Sequence, residues 1–375
     1  MTGQAGRRRV MVIAEAGVNH NGSVEMARAL IDAAAEAGAD AVKFQTFKSE
    51  QVVSAAAPKA RYQVEATGGA ESQLDMVRKL ELREADFRAL ASHAKARGIE
   101  FMSTPFDHDS LHFLAAGLDV ARLKIASGEI TNGPFLLAAA RTGKPIVLST
   151  GMSTMDEVGD ALGVIAFGCL GAQEPPSRAA FEAARRLDEG QRILRERVVL
   201  LHCTTEYPAP FEDVNLRAMQ AMREAFGLPV GYSDHTVGIG VSIAAAALGA
   251  VAVEKHFTLD RALPGPDHKA SLEPSELAAL VREIRGVEAA LGSALKAPAP
   301  SELGNRAVAR RSLVAARAIA AGEPFTAEAL GALRPGTGIS PMAYWSLLGT
   351  PASRDYRPGE PIEPPCGPKS LGGGP

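Results

Sequence analysis

The chain reads as a (β/α)8 TIM barrel followed by a small second domain, and three observations predict this. From residue 9 to about 292, short β-rich runs alternate with amphipathic or Ala-rich helical patterns. The runs are apolar throughout, the pattern of parallel strands covered on both faces. There are eight of them, the number that closes a barrel of βα units. An open, doubly wound sheet is the competing architecture, but no G-x-G-x-x-G follows the first run.

In chain order the strands are RVMVIAEAG, AVKFQTF, EFMSTPF, ARLKIAS, PIVLSTG, VVLLHCTTE, PVGYSDH and VAVEKHFT. Helical candidates between them include Val24–Ala37, Glu84–Arg97, Asn215–Phe226 and Glu273–Leu291, where apolar residues recur at three- and four-residue steps. Two insertions break the rhythm. Residues 48–80 form a long loop after the second strand, and long loops in compact domains are usually functional. Residues 172–192 read as a solvated surface excursion before strand six. The barrel is expected over 9–292 and a linker, SALKAPAPSELGN, over 293–305. Short β-like pieces around Gly and Pro, RSLVAARAIAAGEPF, RPGTGISP and DYRPGEPI, make the second domain, 306–370.

A chain of 375 residues with 46% hydrophobic and 22% charged residues can bury a large core. Its net charge of −3, with both signs interspersed, excludes the sustained basic surface that nucleic acid binding needs. The basic and apolar start, MTGQAGRRRVMVIAEAG, is interrupted at Glu15 without a small-residue cleavage site, so it is not read as a signal peptide. The most apolar stretch, VSIAAAALGAVAV (241–253), is too short to span a bilayer, so no membrane partner is expected. Cys169, Cys203 and Cys366 are odd in number and far apart, which points to reduced thiols and a cytoplasmic protein.

In such a barrel the polar residues at the C-terminal strand ends share one mouth. Here every strand contributes: Glu15; Lys43 and Gln45; Ser103 and Thr104; Lys124, Ser127 and Glu129; Ser149 and Thr150; Thr205 and Glu206; Ser233, Asp234 and His235; Glu254, Lys255 and His256. Neutral imidazoles at His235 and His256 could meet at manganese, magnesium or zinc, or could be two hydrogen-bonded structural histidines. Lys43 and Lys124, with Thr104 and Ser127, could cradle a phosphate ester. Equally, each lysine could pair with Glu15 or Glu254, or Lys124 could form a Schiff base as in class I aldolases.

The motifs IAEAGVNHNGS, VKFQTFK, ESQLDMVRKLEL, STPFD, KIASGEI, LSTGM, HCTTEYPAPFEDVNL, GYSDHT, EKHFTLD and GPDHKASLEP occur in order. Together they resemble the bacterial sialic acid (N-acetylneuraminate) synthases. The resemblance runs from 9 to 292 and resumes in RSLVA and RPGTGISP, which are similar to the antifreeze-like, or SAF, domain. It implies condensation of phosphoenolpyruvate with an open-chain N-acyl mannosamine, with release of phosphate and formation of N-acetylneuraminate. Legionaminate synthases, which take a 2,4-diacetamido-2,4,6-trideoxymannose, share nearly all these motifs and are the alternative; pseudaminate synthases look less similar. An aldolase or an inactive sugar-binding barrel is more distant.

By the same resemblance, His235 and His256 match metal ligands for manganese or magnesium, and Glu15 matches the carboxylate that handles the water or the intermediate. Lys43, Thr104, Lys124, Ser127 and Ser233 match phosphoenolpyruvate contacts. Thr205 stands at a phosphate-side position where some relatives carry asparagine. Gln45, Glu129, Tyr207 and Asp267 match positions that hold the sugar. Arg334 matches an arginine of the second domain that reaches the N-acyl group across a domain-swapped homodimer.

Overall fold

The computed structural model describes residues 9–54, 56–59, 64 and 71–363. Cys366 and residues 364–370 of the expected second domain lie outside the described residues, as do the remaining positions of the 48–80 loop. The chain divides into two compact units, Met1–Gly292 and Ser293–Pro375.

All eight expected strands form in the first unit. They are β1 (Met11–Gly17), β2 (Ala41–Thr46), β3 (Glu100–Pro105), β4 (Leu123–Ile125), β5 (Ile146–Ser149), β6 (Val198–Cys203), β7 (Val230–Asp234) and β8 (Ala252–His256). Their order in one parallel sheet is β3-β2-β1-β8-β7-β6-β5-β4, and β3 also touches β4, which brings the sheet round into a near-barrel. The helices outside it follow the sequence pattern. Val24–Glu36 starts where the Ser23 side chain accepts from Met26 N, and it buries Ala27, Leu30, Ile31 and Ala34 at helical spacing. Full burial of Leu30 or Ile31 contributes about 1.5–3 kcal/mol each, so this stripe, rather than the cap, fixes the helix to the barrel.

Inside the barrel, Ile13, Ala41, Met102, Val147, Leu201 and Ala252 form an apolar floor. Side chains two residues further along a strand point the same way. The next layer is therefore Glu15, Lys43, Thr104, Ser149, Cys203 and Glu254, and apolar packing gives way to chemistry at one level.

Two expectations are amended. Residues 172–192 are largely exposed, as expected, but they are not without structure: helix Arg178–Arg186 buries Ala184 and its Phe181 stacks edge-on against Phe167 at 5.2 Å, and the next helix, Asp188–Arg197, buries Ile193 and Leu194 just beyond the segment. Their apolar residues are few and separated by Arg and Glu, so composition hides a packing face. The expected linker, 293–305, is partly helical, with Leu303–Ala309 starting inside it.

The second unit contains an antiparallel pair, β9 (Ser312–Ala315) with β10 (Leu330–Leu333), around a core that includes Leu313, Ile319, Phe325, Leu347, Tyr356 and Ile362. Among the described residues, no helix is long and apolar enough to cross a membrane.

Candidate active site

A cavity of about 300 Å³ opens at the C-terminal mouth of the barrel, where enzymes of this fold place their chemistry. It is lined by Glu15, Lys43, Gln45, Thr104, Lys124, Ser127, Thr205, Tyr207, Ser233, His235, His256 and Asp267, so the mouth gathers most residues matched by the family resemblance, whereas Ser103, Thr150, Glu206, Asp234 and Lys255 of the strand-end set do not line it. Glu129 does not line it; its carboxylate accepts from Asn132 Nδ2 at 2.7 Å. Asn132 is the cap of the next helix, its Oδ1 accepting from Phe135 N, and this draws Glu129 toward the helix start. Arg334 belongs to the second unit, where it is exposed just past β10.

The strand register sets the central charges. Glu15 pairs across the ladder with Lys43 on one side and with His256 on the other. Lys43 Nζ lies 2.6 Å from Glu15 Oε2, 3.1 Å from Thr104 Oγ1 and 3.7 Å from Glu254 Oε2. Lys124 Nζ donates to Ser149 Oγ at 2.7 Å and lies 3.7 Å from Glu254 Oε1, which also accepts from Ser233 Oγ at 2.9 Å.

Two ammoniums thus face two carboxylates at the nearly buried base of the cavity. Burial pushes the Glu15 carboxyl up to about 7, against the pull of Lys43. Burial acts on Glu254 too, but Lys124 and Lys43 together draw it down to about 2. Burial works against the Lys43 ammonium, yet Glu15 and Glu254 outweigh it and hold the group above its ordinary value. At Lys124, burial wins over Glu254 and the value is lowered. Glu254 therefore carries the firm negative charge, and Glu15 is the carboxyl able to exchange a proton near neutrality.

Near Lys124, side chains from the ends of β4 and β6 pack so closely on Gly151 that only glycine fits. A Cβ at Gly151 would lie 2.3 Å from Thr205 Oγ1, 2.9 Å from Ser127 Oγ and 3.0 Å from Cys203 Sγ. Gly151 does not line the cavity, but its N–H donates to Ser127 Oγ at 3.0 Å and orients that hydroxyl. Ser127, Thr205 and Lys124 line the cavity beside it, a cradle of donors suited to an anion. Gly151→Ala is expected to raise the KM of an anionic substrate by up to about a hundredfold, since misplacement by about 1 Å can cost that much. An unchanged KM would remove the cradle from the site. Gly17 is a second obligate glycine: its φ is +53°, and a Cβ there would press within 3.2 Å of Glu15 Oε1.

The two histidines stand at the ends of β7 and β8, between Glu15 on β1 and Cys203 on β6. Their rings are 5.7 Å apart, and Tyr207 covers both, at 4.1 Å from His235 and edge-on at 5.5 Å from His256. His235 Nδ1 donates to Thr204 O at 2.6 Å, which leaves Nε2 with its lone pair. His256 Nδ1 is buried without a hydrogen-bond partner. Burial lowers His235 to about 4 and His256 well below its ordinary value, so both imidazoles are neutral at neutral pH. Among the described residues no third His, Cys, Asp or Glu completes a metal set. The pair fits a divalent ion whose remaining positions go to substrate or water.

Above the charged layer the cavity turns apolar. Val18, Phe47, Met76, Val77, Leu80 and Phe106 pack from the first and second βα loops and the end of β3, so one wall is mostly apolar, with Gln73 as the polar group on the helix that carries Met76 and Val77. Asp267 faces this region, and burial raises its carboxyl to about 6, with Lys43 opposing. Sequence reasoning left Gly151 and Cys203 out of the site, placed Ser149 at the mouth without a role and gave Glu254 no role beyond pairing with lysine. The LSTGM run and the alternation along β6 and β8 were the available signals.

Residues 30–296 match the NeuB family and residues 310–366 match the SAF domain. An N,N'-diacetyllegionaminic acid synthase of Campylobacter jejuni is 48% identical over 356 residues, covering 95% of this chain and 99% of that one. One from Legionella pneumophila is 45% identical over 348 residues, covering 93% and 92%. Among solved structures, the N-acetylneuraminic acid synthetase of Leptospira borgpetersenii in complex with citrate superposes with a TM-score of 0.63 at 34% identity, covering 79% of this chain and 90% of that one. With the match spanning most of the barrel and relatives of nearly full length, the chain belongs to the NeuB family and carries a SAF domain after its barrel.

Proposed function

We propose that this protein is a legionaminate-type nonulosonate synthase, condensing phosphoenolpyruvate with open-chain 2,4-diacetamido-2,4,6-trideoxymannose and water to give the nine-carbon 2-keto acid and phosphate. The observation that carries the acceptor assignment is the apolar wall of Val18, Phe47, Met76, Val77, Leu80 and Phe106. Acetamido methyls and a deoxy carbon pack there, whereas sugar hydroxyls would lose water without replacement. Two legionaminic acid synthases at 48% and 45% identity support the same choice over the N-acetylneuraminate expected first. Specificity constants for the diacetamido sugar and for N-acetylmannosamine test it; a preference for N-acetylmannosamine would restore the first expectation.

In this reading the cradle of Lys124, Ser127 and Thr205 takes the phosphate, while Lys43, Thr104 and Ser233 take the carboxylate. The enol carbon bonds to the aldehyde carbon, whose oxygen takes a proton from solvent water. Water then adds at the former enol-phosphate carbon and gives its proton to Glu15, which returns it to solvent. The tetrahedral intermediate breaks its carbon–oxygen bond to phosphate, the proton of its hydroxyl passes to the departing phosphate, and the ketone forms. His235 and His256 would hold a manganese or magnesium ion, which supplies Lewis-acid stabilisation of the aldehyde oxygen when bound. A lowered Lys124 would also serve a Schiff base, but family membership favours phosphoenolpyruvate chemistry, and borohydride with pyruvate should trap nothing.

Gln45, Tyr207 and Asp267 would position the sugar, with Glu129 joining only on release from Asn132. Asp267 provides a pH test. Its value is raised, so the carboxylate exists above about 6 and is lost as pH falls through that point. The acceptor KM should rise below about 6 in the wild type, and Asp267→Asn should show a high KM without that rise. A wild-type acceptor KM flat through this range would contradict the role.

Arg334 is proposed to reach the acyl group of a partner subunit's acceptor in a homodimer. Mixing Arg334→Ala chains with His235→Ala chains should then restore activity, because one site of the mixed dimer carries both defects and the other neither. No recovery after confirmed subunit exchange would rule this out.

A further inference from the structure

Each candidate metal ligand is preceded by a charged residue, Asp234 before His235 and Lys255 before His256; the strand-end pattern placed both in the mouth, but neither lines the cavity. Asp234 and Lys255 face each other in the β7–β8 ladder, as do Ser233 and Glu254 one step earlier. Strand alternation turns Ser233, His235, Glu254 and His256 into the cavity. Asp234 and Lys255 therefore point the other way, into the layer between sheet and helices. There they form an ion pair of 3.1 Å with side chains 0% and 1% exposed.

Every polar atom of this pair is engaged locally. Asp234 Oδ1 accepts from Thr236 N and Thr236 Oγ1, both at 2.8 Å. Asp234 Oδ2 accepts from Ser242 Oγ at 2.5 Å, on helix Gly240–Ala247. Lys255 Nζ donates to Thr236 O at 2.5 Å. The lysine of β8 thus grips the backbone on the far side of His235, and the aspartate grips the same turn from the near side. Parallel sheets keep this layer apolar, as the flanking Tyr232 and Val253 do here. A buried ion pair is often no better for stability than apolar residues of the same volume, so its presence calls for a reason other than stability.

We infer that the Asp234–Lys255 pair, with Thr236 and Ser242, is a positioning lock that sets the spacing of His235 and His256 for one shared divalent ion. None of its members lines the cavity or touches substrate. The inference rests on the metal reading of the two histidines. Its effect would be carried through the strand ends, as partners outside a metal's own ligands commonly do.

The test is a manganese titration of the full-length protein, followed by the paramagnetic resonance signal of free Mn2+. Phosphoenolpyruvate is present and acceptor absent, so no turnover contributes. Wild type is compared with Lys255→Met, Asp234→Asn, Ser242→Ala and, as a control for general destabilisation, the core variant Val281→Ala. Lys255→Met and Asp234→Asn should raise the Mn2+ Kd by about ten- to hundredfold, Ser242→Ala by less, and Val281→Ala not at all although its melting temperature falls. Wild-type Kd in folded Lys255→Met and Asp234→Asn would overturn the lock, as would an equal rise in Val281→Ala. Should neither charge variant fold, Ser242→Ala decides, and an unchanged Kd there overturns it. Wild type without saturable Mn2+ binding would instead fail the metal reading itself, and the lock with it.

Discussion

Glu15→Gln is expected to lower kcat by about 10²- to 10⁴-fold, the range for loss of a positioned acid–base group, with much smaller changes in either KM. The substitution keeps the shape of the side chain, and with it the floor beside Lys43 and Gln45, but removes the proton acceptor. The physical basis is the asymmetry between the two buried carboxyls. Glu254 is held ionised by two ammoniums, whereas Glu15 is raised to about 7 by burial. A group already near neutrality can take a proton from water and return it without a large energetic penalty. Steady-state kinetics with a folded variant check this. A kcat within a few-fold of wild type, or a loss wholly in the KM for phosphoenolpyruvate, would mean that Glu15 only anchors Lys43.

Loss of the two imidazoles should be as severe. In His235→Ala with His256→Ala, turnover should fall to background, saturable Mn2+ binding should vanish, and added metal should not rescue. In the wild type, chelation should abolish turnover, and manganese or magnesium should restore it. The double variant leaves Glu15, both lysines and the cradle beside Gly151 in place, so phosphoenolpyruvate should still bind. That separation between retained binding and lost chemistry is what distinguishes a metal role from collapse of the site. Full activity in a metal-stripped double variant would return the histidines to a purely structural role.

What could be read without coordinates follows from how each feature is encoded. The eight strands were legible because strands covered on both faces are continuously apolar, and a polar residue at the end of such a run stands out. Glu15, Lys43, Lys124, His235 and His256 were visible for that reason. Gly151 was not, because its importance lies in the absence of a Cβ where Thr205, Ser127 and Cys203 converge from other strands. Glu254 was seen only as a possible partner for lysine, since its position between two ammoniums depends on how the barrel closes. The helices at 178–197 were hidden by composition, their buried Ala184, Ile193 and Leu194 being outnumbered by charges. Glu129 was placed at the mouth by the strand-end pattern and at the sugar by the family resemblance, but the cap of the following helix competes for its carboxylate.

The central claim is that this cavity joins phosphoenolpyruvate to an aldehyde sugar and expels phosphate from a tetrahedral carbon. The most direct measurement uses phosphoenolpyruvate labelled with heavy oxygen at the bridging position, incubated with 2,4-diacetamido-2,4,6-trideoxymannose and manganese. Phosphate and nonulosonic acid are then quantified together by mass. The account predicts that phosphate appears only when the sugar is present, in equal amount to the nonulosonic acid, and with the heavy oxygen retained in the phosphate. Phosphate released without acceptor, or a label left in the keto acid, would contradict it.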